Sequence, residues 1–468
     1  MILVLQTKNK IQINPLFTDH MILQRGKPVR VFGRGGKTGE LVRVIFDGKT
    51  FEGIVGENEW EVWLDAMEAC AEGKTLTVHH GDDELCFDDV VVGEIWLCGG
   101  QSNMAVSIQY ILNKDPSVES DYCEYDNWRS VRYYERPYRP DSEVYVDSLP
   151  SSQWCVGVSF DQSRNLSATA MAFALNLAKM TGNHVPIGVV NCSVSGSPIE
   201  SWLSAEAMAD LPSYFPEWNC VHYNGMLFNI AGYSYGGFLW YQGCANAQPH
   251  MASAYRNQFE ALMRELRSAT KDVALPAVVV QLVQFEDWCS WLPMRQVQWD
   301  LMELPRVYTV CGIDLGCTVT PHQTAVEHDG IHPTDKWMVG KRAAGVAADK
   351  VLMLPPPSDG TPFGISPSIV SAVWQDQKIR LSVAGAKSLT PAQGEIGGFE
   401  VFVGSRWIPA SACLDGTNVV LSVDSGEEEP QKIRYLQTNV VPEGVSYLYN
   451  EYCLPLAPVM DIPIIADV

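Results

Sequence analysis

A serine that directly follows two glycines, at the end of a short apolar run, is the first place where this chain could do covalent chemistry. Glu94–Cys98 reads as a strand, and Gly99–Gly100–Gln101–Ser102–Asn103–Met104 follows it at once. Glycines let a backbone turn sharply off a strand end and leave the next side chain at the ligand-binding edge of a sheet. A hydroxyl in that position becomes a nucleophile when a base lies within hydrogen-bond reach. The spacing is not that of the G-x-S-x-G elbow, because Met104 occupies the place of the second glycine. By itself a serine after two glycines also serves as a turn residue.

A base is offered by Asp329–Gly330–Ile331–His332–Pro333, just ahead of a helical stretch. Three residues of separation across a glycine turn can bring the carboxylate onto the imidazole. That contact would fix the tautomer and stabilise the imidazolium formed when His332 takes the serine proton. A turn aspartate and a surface histidine before a helix are the other reading. His322 and His328 compete for the role, but neither has an aspartate three positions upstream.

Two further strand ends carry groups suited to a developing oxyanion. Ser195–Gly196–Ser197 follows the apolar run 185–191, and Gln242–Gly243–Cys244–Ala245–Asn246 follows Gly237–Tyr241. The Gly196 N–H and the Asn246 side-chain amide would act as donors fixed before the reaction, each contributing roughly 3–4 kcal/mol to the transition state. Glycine and asparagine are also common turn formers. What sets the set apart is its order: nucleophile, oxyanion glycine, oxyanion asparagine and Asp-x-x-His, each at the end of a strand.

The elements that must position these residues follow from the pattern around them. Residues 1–93 read as a β-rich N-terminal domain, with alternating runs at 29–33, 41–45 and 75–79 broken by Gly35–Gly36, Gly48 and Gly81. From residue 94 strands alternate with helices. Ser167–Met180 reads as a helix closing at Gly182, 254–267 as a second and 334–352 as a third; 185–190, 237–241, 277–283 and 307–313 read as buried strands. Such alternation implies an α/β fold, with a parallel sheet covered by helices over 94–353. A linker rich in proline begins at Pro355–Pro356–Pro357, and 360–468 reads as a β-rich C-terminal module. At 468 residues, two or three domains are expected.

Bulk chemistry narrows the partners. A net charge of −22 argues against nucleic acid or an anionic membrane surface, whose phosphates the field would repel. No run of about 18 apolar residues is present, so no membrane-spanning helix is expected. The N-terminus lacks the order of a signal peptide, and the 13 cysteines contain no CxxC pair, so a cytoplasmic, reducing setting is expected, or a periplasmic or secreted one if a leader has been removed, and a paired-cysteine zinc site is not. Cys98, Cys192 and Cys311 lie in apolar runs and read as buried thiols.

Read as an ordered series, these blocks resemble the SGNH hydrolases, and in detail the bacterial sialate O-acetylesterases. The resemblance extends over nearly the whole chain: Leu16–Arg25, Gly93–Trp96 leading into Ser102, Pro198–Trp202, Tyr223–Met226, Trp240–Gly243, Ile331–Lys336, Ile433–Tyr435 and Tyr449–Asn450. It implies a three-layer α/β/α core flanked by β-rich regions. It makes Ser102 the nucleophile, His332 the base, Asp329 the orienting acid, and Gly196 with Asn246 the oxyanion hole beside the Ser102 N–H. The reaction it implies is hydrolysis of acetyl esters on a sugar through a serine acyl-enzyme, without metal or organic cofactor. One position departs: Cys244 stands where the family usually has a glutamate, so a carboxylate is missing there.

The sugar is read from the residues that would line a pocket. A sialic acid carries a carboxylate, which an arginine fork recognises. The stretch 128–139 is basic and aromatic; it reads mainly as a β-strand with solvated charges, in which Arg129 and Arg132 are the candidate substrate contacts. Gln101 beside the nucleophile and Trp288, in a cluster with Trp291 and Arg295, complete the candidate set. Acetylated xylan or another plant polysaccharide, and sugar binding with little catalysis, are the alternative readings.

Overall fold

The computed structural model describes residues 10–123, 130–146, 152–157, 159–285, 291–316, 330–392, 395–424, 426, 428–442 and 444–466. Its backbone forms two compact units. The first holds residues up to Gln242 together with Asn257–Ala277; the second holds Gly243–Arg256 and Val278–Val468.

In the first unit one strand organises the rest. Asp83–Gly100 runs for 18 residues, half-exposed at its start and fully buried from Val90 onward. The apolar run predicted at 94–98 is thus the last third of a longer strand. Its N-terminal part pairs antiparallel with Cys70–His80, which in turn pairs with Leu41–Phe46. Its C-terminal part lies between two parallel neighbours, Ile187–Ser193 and Gly237–Tyr241. Val131–Glu135 extends the sheet beyond Ile187–Ser193, also in parallel. A separate antiparallel trio, Gln12–Ile13, Val29–Arg34 and Glu59–Leu64, completes the N-terminal β-structure. Strands buried on both faces read as unbroken apolar runs, as the parallel ones do here.

The helix Ala168–Met180 packs on this sheet, with Phe173 set edge-on against Trp96 at 5.0 Å between ring centroids. Every residue from Ala168 to Ala178 is buried, which suits a helix lacking a polar face and rich in alanine. Ser167 caps it by accepting from the Ala170 N–H, and Gly182, at φ +69°, allows the exit.

Buried Gln24 and Glu94, with half-buried Arg25, link the N-terminal signature to the core. Glu94, on the long strand, accepts from the Arg25 guanidinium at 2.6 Å and the Gln24 amide at 3.0 Å, while the Gln24 oxygen accepts from the Ile95 N–H. The chemistry of Gln24–Arg25 and of Gly93–Glu94 is therefore one contact, seen from two places in the sequence.

The second unit contains Val307–Val310, hydrogen-bonded beside Ala277–Val280, the helix Leu292–Asp300 and the helix Lys336–Lys350. Its C-terminal part is an eight-stranded sheet among the described residues, antiparallel except where Ser368–Gln375 runs parallel to Val459–Ala466. Cys311 and Ile313 belong to the same buried apolar cluster as Phe399, Val401, Ile433 and Tyr435 of that sheet. The three thiols expected to be buried are so, and burial pushes Cys192 and Cys311 up to about 12.

No helix among the described residues is long and apolar enough to cross a membrane.

Candidate active site

Gly100 makes the turn that presents Ser102. Its φ of +137° is a conformation L side chains rarely adopt, and a Cβ there would stand 2.2 Å from the Tyr241 carbonyl oxygen. Tyr241 O accepts from the Gln101 N–H at 3.1 Å, tying the turn to the end of the neighbouring strand. Ser102 then opens a four-residue helix, Ser102–Ala105, in which Ser102, Asn103 and Met104 are all buried. Two hydroxyls at the start of the helix Ala168–Met180 hold this segment: Ser167 donates to the Met104 carbonyl at 2.6 Å and Thr169 to the Asn103 carbonyl at 2.9 Å. The loop that carries Ser102 is thus gripped from the strand on one side and from a helix cap on the other.

Gly196 lies on the next strand end. Register places Ser193 opposite Gly100, and the Val194 N–H donates to the Gly100 carbonyl at 3.1 Å. The glycine has φ +76°, and a Cβ on it would meet nothing within 4 Å. Its requirement is conformational, and the space beside it is open. Ser197 anchors the turn: its hydroxyl donates to the Val194 carbonyl at 2.8 Å and accepts from the Trp202 indole at 3.0 Å. Its own carbonyl accepts from the Gln242 amide at 3.1 Å. Ser102, Gln101 and Gly196 are therefore brought to adjacent strand ends of one sheet.

Asn246 and His332 belong to the second unit. Gly243, at φ +147°, leads into the turn Cys244–Asn246, and a Cβ on it would press on the Gln298 amide at 2.7 Å. Asn246 is fully buried and Cys244 half-buried. His332 is half-buried and precedes the helix Lys336–Lys350 by four residues. Asp335 caps that helix by accepting from the Met338 N–H at 2.9 Å, and burial raises its carboxyl above the usual range. Asp329, Arg129 and Trp288, with His322 and His328, lie outside the described residues.

Around the strand Val131–Glu135, Arg132 and Arg136 are buried, which corrects the expectation of solvated charges at those two positions, whereas Glu135 and Arg139 are exposed as expected. Arg132 is buried, near the start of the strand, level with Ile95 through Gly188. Its guanidinium donates to the carbonyls of His20, Met21 and Asp89 and to the Asp89 carboxylate at 3.0 Å. That is the opposite end of the parallel strands from Ser102. Arg136, part of the basic stretch 128–139 but not among its candidate substrate contacts, is buried at the carboxyl end and donates to the Gly225 carbonyl at 2.9 Å. Gly225 is required there, because a Cβ would lie 1.8 Å from the Arg139 carbonyl oxygen. The signal that was available was composition: a parallel strand covered on both faces has no solvent side for alternating arginines.

Other residues missed by sequence reasoning support the loops. Ser167, Thr169, Ser197 and Gln242 are all buried and polar, and their place in the sequence carries no signal of these contacts. Among the described residues, no cluster of three or more His, Cys, Asp or Glu side chains has the geometry to hold a metal ion.

A sheet of this kind, with a serine and a glycine turn at neighbouring strand ends and β-structure on either side, is that of the SGNH-type carbohydrate esterases. The family model for carbohydrate esterases described as sialic acid-specific acetylesterases matches residues 92–336, more than half of the chain, and the chain belongs to that family. A solved carbohydrate acetylesterase from Xanthomonas citri superposes with a TM-score of 0.79 at 28% identity, covering 96% of this chain and 99% of that one. The sialate O-acetylesterase of Homo sapiens is 26% identical over 229 residues, 44% of this chain and 42% of the human protein. That of Mus musculus is 24% identical over 344 residues, 61% and 62% of the two chains. The match thus spans less than half the length of the human relative.

Proposed function

We propose that this protein is a carbohydrate O-acetylesterase that removes acetyl groups from sialic acid through Ser102. The observation that carries the reading is the family match over 92–336, which runs from the strand before Ser102 through His332 and includes Gly196 and Asn246. Ser102 attacks the acetyl carbonyl while His332 accepts its proton. The oxyanion is met by the N–H groups of Ser102 and Gly196 and the amide of Asn246, and Asp329 steadies the imidazole. His332 returns the proton to the sugar alcohol as it leaves, and water then repeats the sequence on the acetyl-enzyme. The open space beside Gly196 supports its role as a donor that a substrate oxygen can reach.

A second reading, acetyl groups on another carbohydrate, is favoured by the full-length likeness to the Xanthomonas citri carbohydrate acetylesterase. The catalytic residues are the same in both. Acetate release from 9-O-acetylated sialic acid and from acetylated xylan, measured for the wild type and Ser102→Ala, separates them. Loss of release by roughly a thousandfold or more in the variant supports the nucleophile, and the substrate that is turned over assigns the sugar. Equal rates for wild type and variant would sink the reading.

A further inference from the structure

The C-terminal β-structure contacts the segments around Gln284–Phe285, Trp291–Arg295 and Asp314. Among the described residues, the segment 438–449 forms six hydrogen bonds with residues 284–314. The Phe285 N–H donates to the Asn439 carbonyl at 3.2 Å and the Trp291 N–H to the Asn439 side-chain oxygen at 3.3 Å. The Val441 N–H donates to the Gln284 side-chain oxygen at 2.6 Å, and the amide of that same glutamine donates to the Tyr447 hydroxyl at 2.6 Å. Arg295, buried in the helix Leu292–Asp300, donates to the Thr438 carbonyl. The sixth is the Tyr449 hydroxyl, which donates to the Asp314 carboxylate at 2.9 Å.

Asp314 makes the last contact mechanically important. Its two oxygens accept from both terminal nitrogens of Arg342 at 2.6 Å, a bidentate pair with both side chains buried, and Arg342 also donates to the Cys311 carbonyl at 3.0 Å. Arg342 stands in the helix Lys336–Lys350, whose cap Asp335 lies three residues beyond His332 and within the field of both Arg342 and Asp314. A guanidinium held in a two-pronged grip cannot rotate freely, so the helix and the residues just before it take their position from Asp314. The Asp314 oxygen that accepts from one Arg342 nitrogen also accepts from the C-terminal tyrosine, so one carboxylate joins the two.

We propose that the segment 438–449, through the Tyr449–Asp314–Arg342 chain, is a positioning element for His332, so that the C-terminal β-structure is part of the catalytic apparatus. Tyr449 is a positioning residue acting through two others. This rests on the reading of His332 as the base. It also gives a physical role to Tyr449–Asn450 near the C-terminus, which no catalytic step uses: the Asn450 oxygen accepts from the N–H groups of Tyr452 and Leu454 and so shapes the turn that follows Tyr449.

The test is Tyr449→Phe in the full chain, which removes one hydroxyl and keeps the ring. Acetate release is compared with that of Ser102→Ala and His332→Gln, and the His332 ring resonances are titrated by NMR, assigned by their loss in His332→Gln. The expected result is a kcat reduced about tenfold with KM within twofold, and a His332 titration midpoint moved by half a pH unit or more while the melting temperature changes little. If Tyr449→Phe leaves both kcat and the His332 titration unchanged, the positioning role is overturned, whatever the other variants do. If His332→Gln stays active, the reading of the base falls; a moved His332 titration in Tyr449→Phe then still supports the mechanical coupling. Should no acetyl sugar be turned over, the titration alone decides.

Discussion

At the residue scale, two glycines of the site do different work, and this separates their expected effects. Gly100 combines a φ of +137° with a carbonyl 2.2 Å from where a Cβ would sit, whereas Gly196 has φ +76° and open space. Gly100→Ala must strain the backbone and push the strand Gly237–Tyr241, lowering stability by about 2–4 kcal/mol. Gly196→Ala bears only the left-handed penalty of about 1–2 kcal/mol. Urea denaturation checks the ordering, with Gly100→Ala unfolding at clearly lower denaturant. Equal midpoints would mean that the strand end yields more easily than its contacts imply.

At the scale of elements, the buried pair Asp314–Arg342 joins the loop after Val307–Val310 to the helix Lys336–Lys350. Burying two charges is costly, so the pair adds little beyond what a well-packed apolar pair would, but removing one member strands the other. Arg342→Met is expected to cost about 3–5 kcal/mol, and the double variant Asp314→Leu with Arg342→Met to recover most of that loss. Thermal unfolding of the two variants checks this; a double variant as unstable as the single one would show that the ion pair itself, not the stranded charge, carries the stability.

At the scale of the whole molecule, pH acts on groups whose protonation differs between folded and unfolded chains. His222 is fully buried, its ring stacked on Trp202 at 5.0 Å and tilted against Trp218 and Tyr138. Burial pushes its imidazole down to about 4. The unfolded chain takes up this proton near pH 6.5 and the folded chain does not. Stability from this residue is therefore full above about 6.5 and declines as pH falls toward about 4. His222→Phe, which keeps an aromatic ring on Trp202, is expected to flatten the fall in melting temperature between pH 7 and pH 5. An unchanged slope would show that His222 is protonated in the fold. Asp89 acts lower on the scale. Burial opposes its charge, but the His20 ring and the Arg132 guanidinium outweigh that and hold its carboxyl below the usual range, so its contribution is lost only at acid pH.

The sequence by itself determined the local part of this protein. Apolar patterning marked the strand Gly237–Tyr241 to the residue, and Gly182 marked the exit of the helix Ala168–Met180, because these signals are carried by neighbours in the chain. It also placed Ser102 and Gly196 at strand ends, since glycine is where a backbone can leave a sheet. What only the tertiary structure decided are pairings between residues far apart in the chain. Arg132 looked like a solvated charge on a strand and is instead spent on Asp89 and two carbonyls, because the strand is covered on both faces. Glu94 with Arg25, Ser167 with Met104, and Tyr449 with Asp314 are likewise contacts across 69, 63 and 135 residues. No period or spacing encodes such a partner. A buried polar group must find one, and which one it finds is settled only when the chain closes on itself.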